Sequence, residues 1–101
     1  MIIRLTPQAE DDVADARRWY RQRSKWAADR FMNAVAAALD VIGRYPEGQP
    51  ILYRTARRAL VSRFPYFLLY YPDGDNAVVF GCFHTARDPE TWRERADIVL
   101  H

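Results

Sequence analysis

The chain has 101 residues, half of them hydrophobic and 28 % charged, a composition typical of a folded domain and not of a disordered segment. The formal net charge is only +2. The chain contains four glycines, which are too few for a Gly-rich phosphate-binding loop. The single cysteine, Cys82, excludes an internal disulfide, and no apolar run approaches the about 20 residues that span a bilayer. We therefore expect one domain over residues 1–101, located in the cytoplasm and without membrane contact.

Charge is distributed unevenly along the chain. Residues 8–15 carry a net charge of −4, residues 16–30 a net charge of +5 and residues 44–63 a net charge of +4. Arginine supplies 14 of the 15 basic residues, which favours bidentate recognition of carboxylates or phosphates. The pattern indicates a basic face for an anionic partner, either nucleic acid or an acidic protein. Acidic residues ahead of basic ones also complement a helix dipole, so both interpretations stay open.

The first half of the chain predicts a strand followed by two helices. Ile2–Leu5 is a short apolar run with β-branched residues, which is typical of a strand. Thr6 precedes a proline and predicts the N-cap of a helix over Pro7–Arg23, and Ser24 predicts the cap of a second helix over Lys25–Ile42. Apolar residues recur at helical spacing in both segments, so we expect the two helices to pack as an antiparallel hairpin.

The second half changes to the two-residue period of β-strands. Arg58–Ser62 and Tyr66–Tyr71 are predicted strands, and the second is apolar throughout, as in a strand that is covered on both faces. Pro72–Asp75 predicts a hairpin turn, and the strand that follows should occupy Asn76–His84. Two-residue periodicity places Cys82 and His84 on one face of that strand.

A short helix is predicted at the C-terminal end. Asp88 followed by proline indicates an N-cap and a first helical turn, and the helix should end near Arg95. The order of elements defines the α+β class: an N-terminal strand and a helical hairpin packed on an antiparallel sheet, with a short C-terminal helix. The residues expected to be buried in the core are Phe31, Val35, Leu39, Leu68 and Val79.

Few side chains in the sequence have the chemistry that catalysis requires. His84 is the one group suited to titrate at working pH, and Arg63 and Arg87 could hold a phosphate beside it but stay protonated. A histidine at the end of a strand is also commonly a hydrogen-bonded structural residue, so both interpretations of His84 stay open. Cys82, His84 and His101 are too few for a metal site, and we expect neither metal nor cofactor.

Three short segments form a recognisable combination. Phe64-Pro65-Tyr66 precedes Tyr70, a Pro-Glu-Gly turn follows an alanine-rich segment, and the run from His84 to Trp92 reads His-x-x-Arg-Asp-Pro-x-x-Trp. Together they resemble the RelE/ParE superfamily of bacterial toxins, and the resemblance covers nearly the whole chain. It implies a toxin of a type II toxin–antitoxin module, silenced by a cognate antitoxin. Members of the superfamily either cleave messenger RNA on the ribosome or poison DNA gyrase.

The choice between these two branches depends on a few positions. The nuclease branch usually has lysines in the sheet and a tyrosine or histidine near the C-terminus, whereas the only lysine here, Lys25, belongs to the helical half. Trp92 stands near the C-terminus, and its indole cannot act as an acid or base. The sequence therefore favours the ParE-like branch, which acts on DNA gyrase and needs no catalytic residue.

Three alternatives remain. The first is a RelE-like, ribosome-dependent mRNA endoribonuclease that would use His84, Arg63 and Arg87. The second is a basic nucleic-acid-binding module, which would bind phosphates without a second protein. The third is a decayed or chromosomal toxin whose remaining role is to bind its antitoxin.

Partner surfaces are expected on both halves of the chain. The candidates for contact with the target or the antitoxin are Arg57, Arg58, Arg63, Tyr70, Arg87 and Trp92. Four further aromatic residues are expected to leave apolar surface for an antitoxin helix, with arginines at its rim. These residues are Trp19, Trp26, Tyr45 and Tyr53.

Overall fold

A computed structural model describes residues Ile2–His101. Its elements, in chain order, are β1 (Ile2–Leu5), α1 (Pro7–Arg21), α2 (Lys25–Arg44), β2 (Ile51–Tyr53), β3 (Ala56–Val61), β4 (Tyr66–Asp73), β5 (Asn76–His84) and α3 (Pro89–Leu100). The α+β class and the helical hairpin are confirmed. No helix within the described range has the length and apolar character needed to cross a membrane.

The five strands form one sheet in the order β1-β5-β4-β3-β2. The strands β2 to β5 form an antiparallel meander, but β1 runs parallel to β5, with Ile2 opposite Asn76 and Leu5 opposite Val79. The sheet is therefore mixed, where the sequence predicted an antiparallel one. The difference arises because the helical hairpin carries the chain to the far edge of the sheet, where β2 runs opposite to β1, and the three reversals of the meander then bring β5 back beside β1 in the same direction.

The central strand β4 is buried on both faces, as its continuous apolar run predicted. Leu68 and Tyr70 belong to the core beneath the helical hairpin, and Phe67 and Leu69 belong to the core beneath α3. Of the five residues predicted to be buried, Leu39 is the exception, because it packs only partly buried against the first core. The other four are at most 3 % exposed: Phe31, Val35, Leu68 and Val79.

All three predicted helix caps form. The hydroxyl of Thr6 accepts from the amide of Ala9 at 3.2 Å, and the hydroxyl of Ser24 accepts from the amide of Ala27 at 3.3 Å. The carboxylate of Asp88 accepts from the second amide after it at 2.9 Å. The helix that follows, α3, continues five residues past its predicted end, because Val99 and Leu100 pack partly buried against the sheet.

The helix α3 is fastened to the rest of the fold at two points. The guanidinium of Arg95 donates to the carboxylate of Asp12 on α1, and that carboxylate also accepts from the amide of Cys82 at 3.0 Å. One oxygen of Asp97 accepts from the hydroxyl of Tyr53 at 2.9 Å and from Nε of Arg54 at 2.7 Å. These bonds link α3 to α1, to β5 and to the turn that joins β2 to β3.

Candidate functional site

One end of the sheet brings together the residues that the sequence singled out for phosphate chemistry. Tyr66, the first residue of β4, lies opposite His84, the last residue of β5. The two loops beyond these strand ends are joined by a hydrogen bond of 2.9 Å from the amide of Thr85 to the carbonyl of Pro65. Arg63 lies in the first loop and Arg87 in the second. The three residues of the predicted nuclease set, Arg63, His84 and Arg87, therefore share this end of the sheet.

A shallow depression lies between α1 and this end of the sheet. Its volume is about 180 Å³. It is lined by Asp12, Asp15, Ala16, Trp19, Tyr66, Cys82, His84 and Arg87. Although several of these residues could bind a metal, no group of three within Ile2–His101 is arranged to hold one. Sequence analysis placed Cys82 and His84 on one face, which the shared lining confirms, but it did not place α1 opposite them.

The imidazole of His84 is held by its own loop. Its Nδ1 accepts a hydrogen bond of 3.0 Å from the amide of Ala86, and the ring packs edge-on against Tyr66 at 5.1 Å between centroids. A neutral imidazole that accepts at Nδ1 carries its proton on Nε2. His84 can therefore donate a hydrogen bond from Nε2, but it does not offer Nε2 as a proton acceptor in this arrangement.

Two further side chains of the depression, the phenol of Tyr66 and the thiol of Cys82, keep their protons at neutral pH. Burial raises the pKa of the Tyr66 phenol, and the nearby Cys82 adds to that increase. Burial, together with the carboxylate of Asp12, raises the pKa of the Cys82 thiol to about 12. A nucleophilic cysteine requires the opposite environment, one that lowers its pKa. Neither side chain is prepared to act as a nucleophile or a base.

Arg63 and Arg87 present their side chains to solvent. Both residues are exposed, and neither guanidinium forms an ion pair with any residue of the described range. The amide of Arg87 donates to the carbonyl of His84 at 3.0 Å, which fixes the loop that carries it. Arg63 has a φ of 70°, in the left-handed region that few residues other than glycine occupy. These two arginines are available to an anionic partner.

Two of the predicted contact residues hold a loop instead. The hydroxyl of Tyr70 donates to the carbonyl of Pro46 at 2.6 Å, and the side chain is fully buried. The guanidinium of Arg57 donates to the carbonyls of Glu47 at 3.1 Å and Gln49 at 2.6 Å. Both side chains thus anchor the loop between α2 and β2, and Tyr70 has no surface to offer to a partner.

Trp92 also belongs to the core and not to the surface. It is 7 % exposed and meets Tyr53 and Phe67 edge-on, at 6.1 and 6.4 Å between ring centroids. Its place in the sequence motif thus reflects packing of α3 against the sheet. Arg58, the remaining candidate, is half-buried on β3.

The aromatic residues of the helical half largely follow the prediction. Trp19, Trp26 and Tyr45 are 47, 73 and 64 % exposed, respectively. Tyr53 differs, because it is half-buried and its hydroxyl is bonded to Asp97. The two exposed tryptophans lie beside arginines: the guanidinium carbon of Arg23 is 3.4 Å from the ring centroid of Trp19, and that of Arg30 is 5.7 Å from the ring centroid of Trp26.

A larger groove runs along α1 beside β1. Its volume is about 380 Å³, and its apolar lining includes Leu5, Val13 and Met32. Its charged lining comprises Glu10, Arg17, Arg18 and Arg21. The groove combines apolar surface with arginines on the helical half, but none of the four aromatic residues predicted to supply that surface lines it.

Asp12 is the residue whose importance sequence reasoning missed. It was interpreted as one of several acidic residues that complement the dipole of α1. In the structure its side chain is 14 % exposed and bonds both Arg95 and the amide of Cys82. The sequence contains no local signal for this role, because the partners lie 70 and 83 residues away along the chain.

Comparisons with known proteins agree with this architecture. Residues 3–89 match the family model described as "ParE toxin of type II toxin-antitoxin system, parDE". The chain belongs to this family, and it is therefore a toxin of a type II toxin–antitoxin system within the RelE/ParE superfamily. The family implies an antitoxin partner. A search of curated proteins found no match.

Three solved structures share the fold at low sequence identity. The chromosomal ParDE system from P. aeruginosa is 16 % identical, with a TM-score of 0.64 over 83 % of this chain and 95 % of that one. The YoeB/ParE toxin from Agrobacterium tumefaciens is 15 % identical, with a TM-score of 0.60 over 83 and 98 % of the two chains. The YoeB dimer from Staphylococcus aureus is 17 % identical, with a TM-score of 0.58 over 83 and 97 %.

Proposed function

We propose that this toxin acts in the cytoplasm by binding DNA gyrase and that it does not cleave RNA. The observation that carries the proposal is the hydrogen bond from the amide of Ala86 to Nδ1 of His84. RNA cleavage by the 2′-hydroxyl requires a group that accepts its proton. The one imidazole at this end of the sheet has its proton on Nε2, and the neighbouring arginines cannot accept one.

The charge of the depression also argues against a phosphodiester substrate. Asp12 and Asp15 contribute carboxylates to its lining, close to the position that a scissile phosphate beside His84 would occupy. Developing negative charge in a phosphoryl transition state is stabilised by cations and amide donors, and carboxylates oppose it. Asp12 is paired with Arg95 and Asp15 with Arg18, so Arg87 is the one arginine of the lining, and a phosphate there would have a single unpaired cation beside two carboxylates.

Binding a protein partner requires neither a proton acceptor nor the stabilisation of a phosphoryl transition state at this surface. Arg63 and Arg87 project from two loops that a backbone hydrogen bond holds together. Arginine is enriched in protein interfaces because its planar fork binds carboxylates in pairs. We infer that these two side chains contact acidic groups of the gyrase.

The antitoxin, in this proposal, binds the groove along α1. An amphipathic helix fits an apolar groove through residues spaced three and four apart, and acidic residues at its margin would meet Arg17 and Arg21. Neither of these arginines is in an ion pair within the described residues. The site is separate from the loops of Arg63 and Arg87.

One experiment with two arms tests the target. Purified toxin is assayed for inhibition of gyrase supercoiling and for cleavage of messenger RNA on programmed ribosomes. We expect inhibition of supercoiling, lost in Arg87→Ala and retained in the control Arg4→Ala. Arg4 is an exposed arginine of β1 that lies opposite Val78, six residues along β5 from His84. Circular dichroism confirms that both variants fold.

The alternatives give different results in the same assays. Ribosome-dependent cleavage that disappears in His84→Ala, with supercoiling unaffected, would establish the endoribonuclease and overturn the proposal. Tight binding to nucleic acid alone, with a steep dependence on salt and no effect in either assay, would indicate the basic nucleic-acid-binding module.

A further inference from the structure

Trp19 is an exposed aromatic side chain that neither the core nor the groove along α1 accounts for. It lies near the end of α1 and is 47 % exposed, and it does not line the groove. It lines the depression at the end of the sheet instead, together with Arg87. The ring of Trp19 therefore lies on the same surface as the loop that carries Arg87.

Helical periodicity explains why the groove and the depression lie on different sides of α1. Trp19 follows Asp15 by four residues and Asp12 by seven, which places these three side chains on one face of the helix. The residues of α1 that line the groove are Glu10, Val13, Ala14, Arg17, Arg18 and Arg21, and none of them lines the depression. A partner helix bound in the groove therefore does not need to cover Trp19.

A guanidinium is stacked on the ring of Trp19. The guanidinium carbon of Arg23 is 3.4 Å from the ring centroid, and one N–H of the same group donates to the carbonyl of Trp19 at 2.9 Å. An arginine has five N–H donors, so this bond fixes the position of the group and leaves other donors free. Tryptophan and arginine are both enriched among the residues that dominate binding energy in protein interfaces. The pair is therefore arranged for contact with a partner before the partner binds.

The loop that carries Arg63 is anchored to the same end of the helical hairpin. Phe64 packs edge-on against Tyr20 at 5.1 Å and against Phe31 at 5.4 Å between ring centroids. Its amide donates to the carbonyl of Val61 at 3.1 Å, which closes a tight turn with Arg63 at the third position. With a φ of 70°, that position is one that turns normally give to glycine or asparagine.

Two arginines of the described range have this left-handed backbone, and only one of them has a partner within the chain. Arg54, with a φ of 54°, binds the carboxylate of Asp97 at 2.7 Å. Arg63 forms neither an ion pair nor a side-chain hydrogen bond with any residue of Ile2–His101. Left-handed backbone is costly for any residue that has a Cβ, and such strain concentrates at functional sites. The side chain of Arg63 is therefore suited to a partner outside this chain.

The unpaired charge around Trp19 is positive. Arg23, Arg63 and Arg87 form no ion pair within the described residues, whereas both carboxylates of the depression are paired with other arginines. A protein segment that alternates acidic and apolar side chains complements this surface, because its acids can meet the arginines while an apolar side chain meets Trp19. A nucleic acid carries a charge on every phosphate and could not keep those charges away from the two carboxylates.

We propose that Trp19, Arg23, Arg63 and Arg87 form one docking surface for an acidic segment of the target protein, with Trp19 as its apolar anchor. The inference rests on the proposed action on gyrase, and it extends the contact from the two loops to the end of α1. Arg63 is a specificity-determining residue of this surface, and its side chain explains why a glycine does not occupy the turn.

Two exposed tryptophans provide a matched pair that tests the anchor. Trp26 is 73 % exposed and also lies beside an arginine, but it does not line the depression. We expect Trp19→Ala to inhibit gyrase supercoiling about tenfold less strongly than the parent, and Trp26→Ala to inhibit it equally. Both variants should bind the antitoxin encoded by the adjacent reading frame with unchanged affinity, because neither ring lines the groove.

The two left-handed arginines provide a second matched pair. Arg63→Gly removes the side chain and the strain together, so it should melt about 4 °C or more above Arg63→Ala. Both Arg63 variants should inhibit supercoiling about tenfold less strongly than the parent. Arg54→Gly makes the same change in a turn away from this surface and should inhibit like the parent. A variant that is stable but inactive separates a role in binding from a purely structural role.

Each possible failure has a distinct meaning. If Trp19→Ala and Arg63→Gly inhibit like the parent while Arg87→Ala does not, the docking surface is wrong and the proposed function stands. If both variants also lose the antitoxin, the antitoxin occupies this surface, which overturns the inference. Binding to DNA in the absence of gyrase that Trp19→Ala weakens would show a nucleic-acid site and overturn it too. If the parent does not inhibit supercoiling, the proposed function and this inference both fail.

Discussion

Cys82 makes the stability of the fold depend on pH in the alkaline range. Burial and the neighbouring carboxylate of Asp12 raise the pKa of its thiol from 9.0 to about 12. The folded state therefore keeps a proton that the unfolded chain releases above pH 9. The contribution of the neutral thiol to the free energy of unfolding is complete below that pH and is lost as the pH rises towards 12.

We expect the native protein to lose about 2 kcal/mol more stability than Cys82→Ala between pH 8 and pH 10.5. Urea unfolding of both proteins at the two pH values measures the difference. Because both proteins share the buried tyrosines, whose ionisation also destabilises the fold at high pH, only the comparison isolates the thiol. Equal losses in the two proteins would contradict the assignment.

Asp12 and Asp15 provide a matched pair of carboxylates on one helix. Asp12 is 14 % exposed and has two partners, whereas Asp15 is 69 % exposed and binds only Arg18. Removal of Asp12 leaves the amide of Cys82 without its acceptor and leaves Arg95 with only the carbonyl of Phe80, at 3.3 Å. We therefore expect Asp12→Ala to cost about 1–3 kcal/mol. The exposed pair contributes little, and Asp15→Ala should cost less than about 1 kcal/mol. Chemical denaturation compares the two, and equal costs would refute the role given to Asp12.

At the level of elements, α3 depends on Trp92 for its position on the sheet. The indole is buried between Tyr53 and Phe67, so truncation removes packing on both sides. We expect Trp92→Ala to cost about 3–5 kcal/mol, as large aromatic truncations in cores do. Ile98→Ala on the same helix, at a position 72 % exposed, is the control and should change stability by less than about 0.5 kcal/mol. Thermal unfolding measures both variants. If Trp92→Ala unfolds at the same temperature as the parent, the indole is not buried in the core.

Sequence predicted the elements whose signals are local. The caps at Thr6, Ser24 and Asp88 and the apolar run of β4 each contain their information within a few residues. The parallel pairing of β1 was not predictable in this way, because it depends on the edge of the sheet at which the helical hairpin delivers the chain and on the three strand reversals that follow. The three-residue strand β2 was also missed, since it is too short to show a period and exists through its pairing with β3.

The candidate site was predictable only in part, for the same reason. The motif from His84 to Trp92 begins at the end of β5, and it named Arg87 as a contact candidate, which the structure places in an exposed loop. The motif does not show that Arg87 is exposed and Trp92 is buried, because their exposure depends on how α3 lies on the sheet. The tautomer of His84 likewise depends on the amide of Ala86 and on the geometry of one turn.

At the scale of the whole molecule, the groove along α1 and the loops that carry Arg63 and Arg87 are separate surfaces. The groove lies beside β1, whereas the two loops lie beyond the first residue of β4 and the last residue of β5. A partner bound in the groove and a partner bound at the loops can therefore be tested with separate variants.

The groove along α1 should contribute mainly through charge. Arg17→Glu combined with Arg21→Glu reverses two charges at its rim, and we expect the rate of association with the antitoxin to fall by about tenfold or more at low salt, with a smaller effect at high salt. The control, Arg4→Glu combined with Arg93→Glu, changes the net charge equally at exposed positions outside the groove. Stopped-flow measurement of association at two salt concentrations compares the pairs. If both double variants slow association equally, net charge and not the groove attracts the antitoxin, and the assignment of the groove is wrong.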